Sequence, residues 1–279
     1  MRKTTGELNV PIAAFIFASS GAAISLLQQQ LYYAGAGDGS ILILVLATFL
    51  GTILGGFSSS EARAELMPFH REMPRRMIQC IPVSLADVAS LTLRNIAQNK
   101  CGSGMFTVIY ASLPAFNGIL SYFVLNRVLN RWQWLSMGIV VLGLALSAEA
   151  EEGELEERFA QKVALGITLG IAGTFFSSMS YICVELVLKS PAAPKEPGTV
   201  TASNGVNDLV IALPWLLGYS LPHRHELLYK PVIERGWSPN IIIFLWLCLM
   251  LANAAHLSTC YYLLQVTDSV TLTMLQGTY

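Results

Sequence analysis

The chain has 279 residues, of which 53% are hydrophobic and 13% charged, with a net charge of −1 and a mean hydropathy of +0.53. A soluble domain of this size carries about 25% charged residues, so the composition excludes an ordinary water-soluble globule and calls for a lipid surrounding. Near-neutral charge without a basic block gives nucleic acid no footing.

A membrane-spanning helix needs about 20 mostly apolar residues. Eight full candidates run at approximately 9–32, 40–57, 77–97, 103–125, 132–148, 163–188, 205–221 and 240–263, and a ninth begins near Ser269. Backbone groups in lipid must be satisfied within the segment, which predicts helices, and these runs are too long for barrel strands. The first run is too long for a signal peptide and lacks a small-residue cleavage site, so it reads as the first span. Gly51/Gly55 and Gly166/Gly170 each show the four-residue spacing of close helix packing. Four connections are longer than the rest. Segment 58–76 is rich in arginine, 149–162 is acidic, 189–204 is rich in Pro, Ala, Gly and Thr, and 222–239 carries His223, Arg224 and His225. The five cysteines (Cys80, Cys101, Cys183, Cys248, Cys260) have no CxxC spacing and read as small core residues, neither disulfide nor metal site.

Loop charge sets orientation. With the N-terminus in the cytosol, the first half places Arg2, Lys3, four loop arginines, Arg127 and Arg131 inside against Lys100 outside, 8 to 1. The second half leans weakly the other way. An internal repeat appears at an offset of 166: LADVASLTLR (85–94) lies over LANAAHLSTC (251–260), setting Asp87 on Asn253, Ser90 on His256 and Ser103 on Ser269. Five helices per copy invert the second copy, the architecture of carriers with a midplane site between halves. The expectation is an all-α polytopic bundle of 5+5 inverted-repeat type with about nine of ten spans present. Residues 1–148 form the first repeat and 149–279 the second, which stops within its fourth helix.

The run IPVSLADVASLTLRNIAQ (81–98), with its Pro and intramembrane Asp, and FNGILSYFVLNRVLNRWQWLSMGIVVLGLAL (116–146), with its basic turn, Trp132, Trp134, Gly138 and Gly143, resemble helices 3 to 5 of the drug/metabolite transporter superfamily. ASLP (111–114) and SVTLTMLQG (269–277) are similar to the chloroquine-resistance-transporter-like branch. The nucleotide-sugar-transporter-like branch shares the helix 3–5 pattern, but its characteristic helix 4 motif reads FTVIYA here (106–111).

Ionisable groups inside a bilayer cost about 2.5–3.5 kcal/mol each on insertion scales and are the first places to seek function. Asp87 and Arg94 sit seven residues apart on one helix face, about 10 Å along the axis, with Ser90 on the same stripe. Asn253, His256 and Cys260 form the matching stripe in helix 8. A histidine titrating near ~6.5 when unperturbed suits proton coupling. Tyr110 and Asn117 share a face of helix 4, with Pro114 between them loosening the helix. Tyr181 lies on a stripe with Ser178 and Glu185, where Glu185, one turn from the helix end, is expected to face water. Gln276 overlies Tyr110 by the repeat, and Asp208 is expected to open helix 7 near an interface.

These residues predict a secondary transporter working by alternating access on an intracellular membrane (vacuole, plastid or Golgi). The chloroquine-resistance-like resemblance implies a small polar cargo such as an amino acid, peptide, thiol or amine, with proton coupling. The runner-up is a nucleotide-sugar antiporter, against which the single candidate cation, Arg94, leans slightly. A third reading is an accessory subunit of a membrane complex, and a homodimer or complex partner is compatible with the sequence. Without a His/Asp constellation, a phosphate-cradling glycine loop or HExxH, no enzyme, cofactor or metal is expected.

Overall fold

The computed structural model describes residues 9–37, 43–66, 69–149, 157–190 and 196–276, which form helices and turns with no strand among them. The helices are α1 (Val10–Tyr33), α2 (Ile43–Ser58), α3 (Ser60–Leu66), α4 (Phe69–Cys101), α5 (Ser103–Tyr110), α6 (Leu113–Val124), α7 (Arg131–Glu149), α8 (Glu157–Lys189), α9 (Pro197–Trp215), α10 (Lys230–Glu234), α11 (Pro239–Val266) and α12 (Ser269–Gln276). Val10–Tyr33, Gly104–Val124, Gln161–Lys189 and Pro239–Val266 are long and apolar enough to cross a membrane. The 24 residues of α1 span roughly 36 Å, more than the hydrocarbon core of about 30 Å.

The outer surface is strongly apolar, and the interior mixes apolar clusters with buried polar side chains. Phe15, Phe123 and Ile139 stand exposed, whereas Thr174, Ser178, Thr199 and Thr201 are fully buried. In lipid the outer side chains are in their own solvent. The inner hydroxyls are satisfied along their own helices, as Thr52 donates to the Thr48 carbonyl and Thr174 to that of Gly170. Small residues permit the close crossings. A Cβ at Gly51 or Gly55 would strike the α11 backbone at Met250 and Ala254, and one at Gly166 would strike Cys101. At the centre, Gly56 lies against the Ala202 backbone and Gly205 against that of Ile53, so α2 and α9 cross almost backbone to backbone.

Packing obeys an exchange of halves. Swap α1 with α8, α2 with α9, α4 with α11, and α5–α6 with α12. The pair α1–α11 becomes α8–α4, the pair α2–α11 becomes α9–α4, and α2–α9 and α6–α12 map onto themselves; all of these pairs pack together.

Several boundaries differ from expectation. Segment 189–204 is not wholly a connection: Pro197 starts α9, and Thr199 to Gly205 are core. Proline suits the first turn of a helix, where its missing N–H bonds nothing. The connection 58–76 contains α3 and the start of α4, which passes through Pro74 and Pro82. The fourth span is broken at Ala111–Ser112 ahead of Pro114, into α5 and α6. Segment 222–239 holds α10 and a wide π turn, His225–Tyr229. Residues 150–156 of the acidic segment, residues 191–195, Arg2, Lys3 and Gly277 lie outside the described residues.

Candidate functional site

A cavity of about 140 Å³ lies between α1, α2, α4, α5, α8, α9, α11 and α12. Asp87, Ser90, Arg94, Tyr110, Tyr181, Asn253, His256 and Gln276 all line it. Asn117 does not. It is buried between α6 and α12, where its amide donates to Thr273 Oγ1 at 3.3 Å, so it joins helices instead of facing a solute.

The cavity has two poles on one face of α4. At the inner pole, Asn204 Nδ2 donates to Asp87 Oδ2 at 2.7 Å and to Asp208 Oδ2 at 3.1 Å, while Ser84 donates to Asn204 Oδ1 at 2.7 Å. One amide thus ties two carboxylates and a hydroxyl together. Asp208, expected near an interface, is instead in mid-helix and 2% exposed.

At the outer pole, the Arg94 guanidinium lies 4.0 Å from the centre of the Tyr110 ring and 5.8 Å from that of Phe106. Arg94 Nη1 reaches Ser177 Oγ at only 3.5 Å, and its Nε is buried without a partner. Its donors face a polar cavity and are largely unspent, the condition of an anion-binding group. Gln276 completes this pole, donating to Tyr110 Oη at 2.7 Å and accepting from Tyr181 Oη at 2.9 Å.

The repeat-related stripe on α11 is more tightly engaged. His256 stacks on Phe17 at 4.3 Å, and its Nδ1 lies 3.0 Å from the Phe17 carbonyl and 3.3 Å from Ser20 Oγ. Asn253 donates back to the Leu249 carbonyl at 2.8 Å. Across the pseudo-symmetry, Ser90 bonds Ser177 at 2.5 Å, the counterpart of the His256–Ser20 contact. Glu185 departs most from expectation. It is 1% exposed and ion-paired, not facing water.

Sequence reading passed over Asn204, Ser84, Ser177, Ser180, Thr48 and Thr52, of which all but Ser84 line the cavity. The signal for Asn204 was its i, i+4 spacing to Asp208, hidden because residue 204 was read as the end of a loop. Among the described residues no cluster of His, Cys, Asp or Glu could hold a metal ion.

Comparison with known proteins adds three relatives and a family. The chain is 24% identical over 170 residues to GDP-fucose transporter 1 of Monosiga brevicollis, covering 61% of this chain and 49% of that protein. It is 26% identical over 144 residues to GDP-fucose transporter 1 of Mus musculus (49% and 36%) and 24% over 119 residues to an uncharacterized protein of Schizosaccharomyces pombe (43% and 36%). The matches span about half or less of those proteins' own lengths. They support the drug/metabolite transporter superfamily and favour its nucleotide-sugar-transporter-like branch over the chloroquine-resistance-transporter-like one. A family model described as purine nucleobase transmembrane transport matches residues 9–204, and the chain belongs to that family of membrane transport proteins.

Proposed function

We propose that the chain serves a carrier for a purine-bearing solute on an intracellular membrane, with a nucleotide sugar moved by exchange as the cargo. One observation carries the reading: an under-partnered guanidinium, stacked on a tyrosine, inside a polar cavity of an otherwise apolar bundle. That group is suited to phosphate. The purine ring is common to the family description and to the guanine of the relatives' named cargo. This replaces the amino-acid, peptide, thiol or amine cargo as the preferred reading. A second reading, the free nucleobase, is favoured by the family description and by the modest cavity volume.

Residues 1–148 and 149–279 act as the two rocking halves about the α2–α9 crossing, with the N-terminus cytosolic. The test is uptake by the full-length protein in liposomes loaded with guanosine monophosphate. Saturable entry of labelled GDP-sugar that requires the internal nucleotide supports exchange. Entry of guanine or adenine alone promotes the nucleobase reading, and no purine entry removes both.

A further inference from the structure

We infer that the ion cluster at Glu185 is the latch of the closed end, and that Gln28 and the start of α5 are its counterpart, meeting only when the opposite end closes. The inference rests on the carrier reading, though not on any particular cargo.

Glu185 sits one turn from the end of α8 and is almost completely buried. Its Oε1 accepts from Arg127 Nη2 at 2.5 Å and from Lys189 Nζ at 2.7 Å, and its Oε2 accepts from the Ser269 N–H at 2.9 Å. Lys189 also donates to the Thr267 carbonyl at 2.6 Å, and Arg127 lies 3.7 Å from Asp268. The cluster therefore staples the α6–α7 turn of the first half to α8 and to the start of α12 in the second. Asn126, at φ 50, turns the chain there, and asparagine tolerates this left-handed conformation better than most residues. Beneath the staple the same end is sealed by Ser121–Ser269 and Asn117–Thr273, all buried.

The half-buried lining residues Gln28, Leu91 and Arg94 stand toward the other end, where α1 and α4 finish. In an inverted repeat the two ends are built from equivalent positions. The pairs Ser90–Ser177 and His256–Ser20 fix the register of the halves: Ser20 answers Ser177. Eight residues further on each helix, Gln28 answers Glu185. Likewise Ser103, the first residue of α5, answers Ser269, the first of α12. At the closed end Glu185 caps the N–H that begins α12, whereas at the other end Gln28 lines the cavity. A carrier alternates between states by trading such contacts, and the charge on only one of the two latches biases the resting state.

The test uses the full-length protein in membrane vesicles with its native cysteines replaced. Two reporters are read without substrate: maleimide labelling of Thr273→Cys, which lies under the latch, and disulfide formation between Gln28→Cys and Ser103→Cys. In Arg127→Gln or Glu185→Gln, labelling should rise about ten-fold, the weight of one charge-assisted hydrogen bond, and the cross-link should rise with it. Unchanged labelling would overturn the latch. Labelling that rises without any gain in the cross-link would mean local loosening and would overturn the pairing. Because neither reporter needs cargo, failure of the latch is distinct from failure of uptake.

Discussion

Replacing Arg94 by glutamine separates the two cargo readings and tests the site at its centre. A guanidinium has five N–H donors. Here one is a long contact to Ser177 at 3.5 Å, and the Nε has no partner. What Arg94 gives the fold is chiefly its stacking on Tyr110 at 4.0 Å, worth about 0.5–2 kcal/mol. Tyr110 itself stays held by Gln276. The folded protein should therefore lose little, a few degrees of melting temperature at most. A bound phosphate would lose far more. Removing one side of a charge-assisted contact costs about 1.5–3 kcal/mol, a ten- to hundred-fold rise in Kd. The assay is competition by GDP-sugar and by guanine against labelled cargo in liposomes, alongside a thermal melt in detergent. GDP-sugar affinity should fall ten-fold or more, and guanine affinity should change less than about two-fold. Equal affinity for GDP-sugar in both proteins, with both folded, would show that Arg94 does not meet the phosphate and would refute the argument.

Asn204→Leu should be among the most damaging single changes in the membrane interior. It removes the amide that bridges the two carboxylates, leaving Asp87 with Ser180 and Asp208 with Ser84, and each lost bond to a charged group is worth about 1.5–3 kcal/mol, so a loss of ~3 kcal/mol is expected, read as a lower melting temperature; a melt within two degrees of the parent would contradict the bridging role. Gly56→Leu should cost about 1–3 kcal/mol or more, because its Cβ meets the Ala202 backbone, which cannot rotate away, and the deficit should appear in the same melt. In the folded protein Cys101, half-buried at the end of α4, should react with maleimide well before the buried Cys80 and Cys260, and equal rates would show that α4 or α11 is not seated as described.

The membrane class and the helix positions were legible because lipid demands long apolar runs, and composition records that directly. Asp87, Ser90 and Arg94 were legible together because helical periodicity puts positions 0, +3 and +7 on one stripe. His256 and Gln276, which the sequence offset sets over Ser90 and Tyr110, line the same cavity as those two residues. Asn117 shows the limit of that reasoning: it shares a helical face with Tyr110, but the break at Ala111–Ser112 turns α6 relative to α5 and aims it at α12. Glu185 and Asp208 were misread for the opposite reason. Distance from a helix end suggested water, but each is claimed by residues from elsewhere in the chain: Arg127 and Ser269 for Glu185, and Ser84 and Asn204 around Asp208. α9 was cut short because Pro, Gly and Thr look like a loop in isolation. In a membrane bundle they are the residues that let two helices meet closely.

The economy of charge in the cavity bears on how a carrier could release what it binds. Gln276 is committed to two tyrosines, and Asn204 to two aspartates, so those groups stay satisfied when the cavity holds only water. Arg94 is the single cationic side chain among the described lining residues, and it has unspent donors. Passage requires binding strong enough to capture the cargo and weak enough to let it go. One guanidinium, partly occupied by its own tyrosine, supplies a hold of a few kcal/mol on a phosphate. A single Arg in the cavity, which at first leans against a phosphate-bearing cargo, is on this argument compatible with one that must also be released.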